Sequence, residues 1–335
     1  MIRVAINGFG RIGRNFLRSC LQDADAMQRM VVVAINIGSA QKDAVAHMFK
    51  YDTLMGIYPG TVAVQGDLLE VDGYRIALVA ERDPEQIAWG KMNIDWVAEC
   101  SGHFTKREGA IKHIQAGAKK VLISAPAHGE DIAIIPGVND AQYNAASHAI
   151  VSLGSCTTNA WLPMLKVIHD AFTIERSFMT TVHAYTNTQV LLDVESDDLR
   201  RSRAAACNII PTSTGASQMI SKVLPELAGL TEAVSLRVPV AKVSLIDLVF
   251  ITKKSMTVDA INDVFQRASE GPMKGIMGVT QEPLVSSDFS GDARSVIIDS
   301  LLTITCGDTM GKAFGWYDNE WGYSCRMKDF LVKNG

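Results

Sequence analysis

The sequence predicts an α/β protein of two domains, and three observations support this prediction. Its 335 residues exceed what one hydrophobic core usually serves, so two domains of roughly 150 residues are expected. In the first half, apolar strand-like runs alternate with helical patterns, which is typical of a parallel sheet covered on both faces. In the second half, strand-like runs follow one another with few helices between them, which indicates an α+β domain with a largely antiparallel sheet. We expect domains at 1–155 and 156–321, with a C-terminal helix at 322–335 that packs back on the first.

The elements of the first half follow from their hydrophobic patterns. Short apolar runs rich in β-branched residues predict strands at 2–8, 30–36, 94–102, 119–126 and 148–155. Residues at helical spacing predict helices at 13–22, 105–116 and 139–146. Such an order provides the crossover helices that neighbouring parallel strands require.

The second half begins with a predicted helix at 157–171, in which Pro163 predicts irregular early turns. Strands are expected at 176–186, 232–240 and 243–254, and a further helix at 257–269. A long polar stretch rich in Asp, Arg and Ser follows the first of these strands. The last run, 321–331, has helical spacing.

Composition and charge argue against several classes of protein. The 32 basic and 36 acidic residues leave a net charge of −4, and no run has the density of a nucleic-acid-binding patch. No apolar run resembles a secretory signal or the ~18 residues of a membrane span. The six cysteines are scattered without a C-x-x-C pair, so neither a disulfide framework nor a metal site is indicated. We expect a cytoplasmic protein with no metal, nucleic-acid or membrane partner.

A glycine motif marks the turn between the first strand and the first helix. Gly8, Gly10 and Gly13 form the pattern G-x-G-x-x-G in the strand-to-helix context of a Rossmann-type dinucleotide site. The first glycine permits the tight turn, the second lets the backbone approach a pyrophosphate, and the third allows close packing of helix and sheet. The N–H groups at the start of the helix then face the phosphates.

The acid that usually accompanies this motif is missing. An NAD site commonly carries a carboxylate about 20 residues on, at the end of the second strand, for the ribose hydroxyls. Here that strand ends in Asn36 and Ile37, and the nearby Ser39 and Lys42 are suited to the 2′-phosphate of NADP. The motif therefore leaves both NAD and NADP open.

Cys156 stands out among the cysteines because of its neighbours. A free cysteine is either a small buried hydrophobic residue or a reactive thiol. Ser155, Thr157, Thr158 and Asn159 are all suited to the first turn of the predicted helix, and a helix N-terminus favours the thiolate. Cys156 is thus a candidate nucleophile that needs a base nearby.

His183 is the best candidate for that base. It lies near the end of a predicted strand that leads into the long polar stretch, whereas the other histidines considered lie in ordinary helix or turn patterns. These are His47, His113, His148 and His169. A histidine in a strand is often a structural residue, so both roles stay open on spacing alone.

Ten motifs in order resemble the phosphorylating glyceraldehyde-3-phosphate dehydrogenase family over essentially the whole chain. The first half carries "INGFGRIGR" at 6–14, "KYD" at 50–52 and "KKVLISAPA" at 119–127. The second half carries "SCTTNA" at 155–160, "HAYTNTQ" at 183–189, "DLRRSRAAA" at 198–206, "NIIPTSTGA" at 208–216, "RVPV" at 237–240, "SSDF" at 286–289 and "WYDNEWGYS" at 316–324.

The resemblance implies a complete reaction. Cys156 would attack the aldehyde of glyceraldehyde 3-phosphate while His183 takes the hydroxyl proton. Hydride would pass to NAD, with NADP or dual use possible, leaving a thioester that inorganic phosphate converts to 1,3-bisphosphoglycerate. The family resemblance also implies a homotetramer, in which the polar loop 185–208 approaches the cofactor of a neighbouring subunit.

The resemblance assigns further residues to the cofactor and to phosphate. The predicted cofactor contacts are Asn7, Gly8, Phe9, Gly10, Arg11, Ile12, Gly13, Ile37, Ser101, Gly102, Ser124, Asn319 and Tyr323. Thr186 and Arg237 match the substrate-phosphate site, and Ser155, Thr157, Thr214 and Gly215 match the inorganic-phosphate site, with Arg201 between them. A solvated loop face is the alternative for the arginines of "DLRRSR".

The chain departs from the family at several positions. Ile37 replaces the Asp of most NAD-using members, whereas Glu195 lies in the loop that reaches the ribose and would repel a 2′-phosphate. Leu153-Gly154 replaces the commoner Asn-Ala, and Ala160 stands where many members have a second cysteine. Two alternatives stay open: an erythrose-4-phosphate dehydrogenase, although such relatives tend to lose motifs that this chain keeps, and a nucleotide-binding sensor with a vestigial site.

Overall fold

Strands and helices alternate along the first half of the chain in the computed structural model, which describes residues 1–335. The strands are β1 (Ile2–Asn7), β2 (Met30–Asn36), β3 (Tyr51–Asp52), β4 (Gly56–Ile57), β5 (Val62–Gln65), β6 (Leu68–Val71), β7 (Tyr74–Val79), β8 (Trp96–Glu99), β9 (Lys120–Ile123), β10 (Ile132–Ala133) and β11 (Ile150–Ser152). The helices are α1 (Arg11–Leu21), α2 (Ala24–Arg29), α3 (Lys42–Lys50) and α4 (Arg107–Gln115).

Nine of these strands form one sheet in the order β10-β11-β9-β8-β1-β2-β7-β6-β5. Pairing is parallel from β10 to β7, whereas β5, β6 and β7 form an antiparallel meander at one edge. Strand β1 lies between β2 and β8, which is the point where strand order reverses. In open α/β sheets, ligands bind beyond the carboxyl ends of strands at such a point.

The helix predicted at 139–146 is wrong, because only a 3-10 turn at Asp140–Gln142 forms there. Local side chains take the backbone N–H groups of the region. Asn139 Oδ1 accepts from the Ile135 N–H at 2.8 Å, and Asp140 Oδ2 accepts from the Gly137 N–H at 2.5 Å. Such side-chain bonds favour turns over continued helix.

The second half contains α5 (Cys156–Phe172), α6 (Ala216–Val223), α7 (Val258–Glu270) and α8 (Trp321–Asn334). Its strands are β12 (Ile174–Ala184), β13 (Ile210–Thr212), β14 (Thr231–Val238), β15 (Ser244–Thr252), β16 (Met277–Thr280), β17 (Val296–Cys306) and β18 (Met310–Tyr317). They form a sheet in the order β13-β14-β12-β15-β18-β17-β16. Only the pairs β12/β14 and β16/β17 are parallel, so the predicted class, a parallel sheet followed by a largely antiparallel one, is confirmed.

The chain divides into two compact units. One comprises 1–134, 141–154 and 324–335, and the other comprises 135–140 and 155–323. Within the first unit, the Phe330 ring of α8 lies 5.8 Å from the Trp96 ring, and Lys328 pairs with Asp23. None of the helices combines the length and apolar character needed to cross a membrane.

Helix α5 positions the predicted nucleophile and runs without interruption through Pro163. The irregular turns expected around this proline are therefore absent. Trp161, Leu162 and Leu165 are fully buried, so the helix is anchored in the core of its unit. This burial stabilises the helix against the loss of one backbone hydrogen bond at the proline.

Candidate active site

Cys156 is the first residue of α5, directly after an N-cap that fixes the helix start. The Ser155 Oγ accepts from the Thr158 N–H at 3.1 Å, and the Ser155 N–H donates to Thr158 Oγ1 at 2.7 Å. This reciprocal capping box fixes the residue at which the helix begins. The thiol is thereby held at the positive end of the helix dipole, as the sequence predicts.

His183 lies near the end of β12, with Nε2 3.5 Å from the Cys156 Sγ. Its Nδ1 lies 2.6 Å from the carbonyl oxygen of Ala184. A carbonyl oxygen only accepts, so this contact is a hydrogen bond in the tautomer that carries the hydrogen on Nδ1. In the neutral ring, Nε2 is then an acceptor that faces the thiol.

Arg237 joins the pair through the register of the sheet. Strands β12 and β14 run parallel, and His183 is the partner of Arg237 in that register. The Arg237 Nη1 lies 2.9 Å from His183 Nδ1 and 3.1 Å from the Ala184 carbonyl oxygen. It also lies 3.5 Å from the Thr186 Oγ1, so the cation links the histidine to the start of the polar loop.

The charges around this pair act on both pKa values. Burial raises the pKa of the Cys156 thiol, and the positive charge of Arg237 opposes that rise. Burial and Arg237 together lower the pKa of His183 to about 3. Both directions favour the neutral thiol and the neutral imidazole, in which Nε2 is ready to accept the thiol proton.

Tyr317 is a buried neighbour of the pair that sequence reasoning missed. Its hydroxyl lies 3.1 Å from Thr157 Oγ1 and 2.7 Å from Thr181 Oγ1, and its ring stands edge-on to His183 with centroids 6.0 Å apart. Burial raises its pKa, so the phenol stays neutral. Tyr317 lies inside the motif "WYDNEWGYS", which is the signal that could have identified it.

Ser244 connects the histidine strand to Asn319. Its Oγ accepts from the Ala184 N–H at 3.0 Å and donates to Asn319 Oδ1 at 3.2 Å. Ser244 and Asn319 are both buried. The amide of Asn319 is therefore oriented by a fixed donor, which sequence spacing did not reveal.

Arg201 lies beside the segment that leads to the other predicted phosphate residues, Thr214 and Gly215. The Arg201 Nε lies 2.8 Å from Thr212 Oγ1 and 3.2 Å from Asp198 Oδ2. Burial lowers the pKa of Arg237, and the charge of Arg201 lowers it further, so the two cations share one electrostatic environment. Thr214 Oγ1 accepts from the N–H two residues on, and Gly215 precedes α6.

A cavity of about 520 Å³ opens at the carboxyl ends of β1, β2 and β8. Its lining includes five of the predicted cofactor residues, Asn7, Gly8, Gly10, Ile37 and Ser101. The lining also includes Asn36, Gly38, Ser39, Glu81, Arg82, Cys100, His103 and Phe104. Of these, Glu81 and Arg82 come from a segment that sequence reasoning did not connect to the site, whereas the others lie beside the predicted residues Ile37, Ser101 and Gly102.

The three glycines of the motif have separate structural reasons. Gly8 has φ +90°, and a Cβ there would lie 2.5 Å from the Ser101 Cα. A Cβ on Gly13 would overlap the Gly8 carbonyl oxygen, whereas a Cβ on Gly10 would meet nothing. Gly8 and Gly13 are thus required by the fold, while Gly10 leaves open space where a pyrophosphate would approach, so these residues fit a dinucleotide.

Other predicted cofactor residues have protein partners. Arg11 forms an ion pair with Asp52, and Phe9 stacks on Phe49 with ring centroids 6.0 Å apart. The Ser124 N–H donates to the Glu99 carbonyl oxygen at 3.0 Å. Lys42, suggested for a 2′-phosphate, is paired with Asp67. Ile12, Gly102, Tyr323 and Ser124 are not among the residues that line the cavity.

Comparison with known proteins agrees with this geometry. The NAD-binding domain of glyceraldehyde 3-phosphate dehydrogenase matches residues 2–107, and the C-terminal domain of that enzyme matches residues 155–319. A glyceraldehyde-3-phosphate dehydrogenase of Priestia megaterium is 49% identical over 98% of this chain and 96% of its own length. The enzyme of Geobacillus stearothermophilus is 48% identical over 99% and 97%, and glyceraldehyde-3-phosphate dehydrogenase 1 of Bacillus subtilis is 48% identical over 100% and 99%.

The Rossmann-type sheet with its glycine turn, together with the matched NAD-binding domain, defines an NAD-binding oxidoreductase. More narrowly, the chain belongs to the glyceraldehyde-3-phosphate dehydrogenase family, whose relatives cover nearly its whole length. The family predicted from the ten motifs is confirmed, and so is NAD as cofactor.

The glycine geometry yields a paired prediction. Gly10→Ala should leave the melting temperature unchanged and raise the NAD dissociation constant about tenfold or more, because the added methyl fills space that the pyrophosphate needs. Gly13→Ala should lower stability by about 1–3 kcal/mol, because its methyl overlaps backbone. Thermal melts and NAD fluorescence titrations on both variants check this. Equal melting temperatures for the two variants would contradict it.

The charge of Arg237 yields a prediction about pH. Arg237→Gln removes the positive charge that lowers the pKa of Cys156, so the thiol pKa should rise. The rate of iodoacetamide alkylation of Cys156, measured from pH 5 to 10, should therefore shift to higher pH. Arg203→Gln is the control, because its partner is the exposed Asp193. A profile unchanged in Arg237→Gln would contradict the electrostatic role.

Proposed function

We propose that the chain catalyses the NAD-dependent, phosphorylating oxidation of glyceraldehyde 3-phosphate to 1,3-bisphosphoglycerate. The observation that carries the proposal is the approach of the Cys156 Sγ to His183 Nε2 at 3.5 Å, with Arg237 beside the same histidine. A nucleophile, a base and a cation for phosphate are the groups that this reaction needs from the protein.

The first step is addition of the thiol to the aldehyde. The Cys156 sulfur forms a bond to the carbonyl carbon while the S–H proton passes to His183 Nε2. The protonated ring then donates to the new oxyanion and gives the thiohemiacetal. The Ala184 carbonyl stabilises this imidazolium, because it accepts from Nδ1 at 2.6 Å.

The second step oxidises the bound carbon. His183 Nε2 takes the hydroxyl proton, and the carbon loses a hydride as the thioester forms. NAD, when bound, supplies the acceptor for that hydride. An oxygen of inorganic phosphate then attacks the thioester carbonyl, the carbon–sulfur bond breaks, and the acyl phosphate leaves while the sulfur regains a proton.

The phosphate groups are assigned by chemistry and resemblance. Arg237 and Thr186 are proposed for the phosphate of the substrate, because the guanidinium lies 3.5 Å from that hydroxyl. The proposed site for inorganic phosphate consists of Ser155, Thr157, Arg201, Thr214 and Gly215. The Thr157 hydroxyl lies 3.1 Å from the Tyr317 hydroxyl, which holds it at the start of α5.

The cofactor choice follows from the end of β2. At this strand end the Asn36 side chain, which is uncharged, accepts a hydrogen bond from the Gly38 N–H. The next residue, Ile37, offers no carboxylate to repel a 2′-phosphate. Against NADP, Lys42 is paired with Asp67. We propose that NAD is preferred and that NADP is used more weakly. Asn319 and Tyr323 are proposed to contact the nicotinamide.

The activity is tested by absorbance at the nicotinamide band. Glyceraldehyde 3-phosphate should reduce NAD only when inorganic phosphate is present, and NADP should react more slowly. Cys156→Ser should abolish turnover while NAD binding persists, and His183→Gln should lower kcat by about 10²–10⁴-fold. Phosphate-independent turnover of erythrose 4-phosphate at a comparable rate would overturn the substrate assignment. NAD binding without reduction of any aldehyde would instead support a nucleotide-binding sensor.

We further propose a homotetramer, supported by an exposed apolar face on the sheet of the second unit. Phe178 is 69% exposed and Val234 is 54% exposed, and the register of β12, β14 and β15 places both on the same face as Ile251. Leu191, Leu192 and Leu199 add exposed apolar side chains on the polar loop. Exposed apolar patches of this kind are typical of surfaces that associate.

A charge on this face should separate the subunits. Phe178→Glu should reduce the sedimenting mass of the tetramer, because a carboxylate would be buried without a partner. Tyr74→Glu is the control, because Tyr74 is also an exposed aromatic residue, at 48%, but lies on the meander of the first unit and not on this face. Analytical ultracentrifugation that shows a monomeric wild-type chain would rule out the tetramer.

A further inference from the structure

A buried carboxylate lies at the end of β8, beside the dinucleotide cavity, and the proposed reaction does not use it. Glu99 is 1% exposed. Its Oε1 accepts from the Ser101 N–H at 2.7 Å and from the Ser101 Oγ at 2.5 Å. Its Oε2 accepts from Asn7 Nδ2 at 2.5 Å and lies 3.1 Å from His113 Nε2. Both Ser101 and Asn7 line the cavity.

The core side of this carboxylate is fixed by a second pair of buried residues. The Trp89 indole N–H donates to His113 Nδ1 at 3.1 Å. An indole nitrogen only donates, so Nδ1 must be an acceptor and the hydrogen of a neutral His113 lies on Nε2. His113 therefore donates to Glu99. Both His113 and Trp89 are fully buried, so this orientation does not depend on solvent.

The cavity side continues from Asn7 to the turn after β2. Because Asn7 Nδ2 donates to Glu99, its Oδ1 is left to accept from Asn36 Nδ2 at 2.6 Å. The Oδ1 of Asn36 then accepts the N–H groups of Gly38 at 3.2 Å and Glu81 at 3.0 Å. The acid thus sets the direction of both amides and, through them, two backbone segments of the cavity.

This arrangement joins the ends of three neighbouring strands. Asn7 ends β1, Asn36 ends β2 and Glu99 ends β8. Gly8 must also pack directly against the Ser101 backbone, where a Cβ would lie 2.5 Å from the Ser101 Cα. A buried charge is costly unless it is fully hydrogen-bonded, and an apolar residue would fill a core position at lower cost. The acid is therefore better explained by what it orients than by stability.

We propose that Glu99 is a positioning residue for the dinucleotide, which holds Asn7, Ser101 and the turn after β2 in their binding geometry. The proposal rests on the assignment of this cavity to NAD. Glu99 thus supplies a carboxylate behind the residues that line the cavity, where it orients amide side chains. It does not replace the acid that commonly contacts the ribose, because Ile37 occupies that position.

Glu99→Gln tests the proposal, because the amide cannot satisfy the same four donors. Turned one way, its NH₂ meets the Ser101 N–H; turned the other way, it meets the His113 Nε2–H and the Asn7 amide. The dissociation constant for NAD, and equally for ADP-ribose, should rise about tenfold or more. The alkylation rate of Cys156 and the KM for glyceraldehyde 3-phosphate should stay unchanged, which a general loss of structure would not allow.

Asp131→Asn is the matched control. Asp131 belongs to the same unit and accepts the N–H groups of Ala149 and Ile150, both at 2.8 Å, together with Arg107. This variant should lower the melting temperature without weakening NAD binding. Equal losses of affinity in both variants, or wild-type affinity in Glu99→Gln, would overturn the proposal.

Asn36→Ala provides a second variant should Glu99→Gln fail to fold. It removes the acceptor for the two backbone N–H groups and keeps the acid. Weaker binding of ADP-ribose supports the proposal, and unchanged binding overturns it. A wild-type chain that binds neither NAD nor ADP-ribose would overturn the assignment of the cavity to NAD, and this proposal with it. That result differs from failure of the Glu99 proposal alone, in which the wild-type chain binds both ligands.

Discussion

The hydrogen bond from His183 Nδ1 to the carbonyl oxygen of Ala184 is the constraint on which the chemistry depends. It holds the ring by one nitrogen and leaves the other to face Cys156. The same residue, through its N–H, is bound by Ser244, which in turn orients Asn319. The backbone of one residue at the end of β12 thus holds the His183 ring through its carbonyl and, through Ser244, orients the Asn319 amide. Both hydrogen bonds use backbone groups of Ala184, whose positions are determined by the sheet.

Pairing across the second sheet explains why these groups meet. Arg237 comes beside His183 because β14 runs parallel to β12 in an otherwise mostly antiparallel sheet. A shift of the register by one residue would turn the arginine to the other face. The cation raises the electrostatic preference for thiolate over thiol, while burial acts in the opposite direction. The reactivity of the thiol therefore depends on sheet register as much as on its own helix.

Local signals made much of the site predictable from sequence. The glycine turn and the capped helix start at Cys156 lie within a few consecutive residues, and His183 was marked by its place at a strand end. Tyr317, Ser244 and Glu99 were missed, because their contacts join elements distant along the chain. The incorrect helix at 139–146 has a different cause, since Asn139 and Asp140 bind the preceding backbone there. Hydrophobic spacing carries no information about that competition.

The strand order has a consequence for how the protein is assembled. The meander β5–β7 pairs segments that are neighbours in sequence, whereas β1 must meet β8, with Val4 opposite Trp96. Contacts between distant segments carry a larger entropy cost of loop closure and tend to form late. The bond between Asn7 and Glu99 spans 92 residues, so the cavity exists only once this pairing is complete. A ligand of this cavity therefore binds only the chain in which the sheet is fully formed. Its binding energy stabilises that folded state against unfolding.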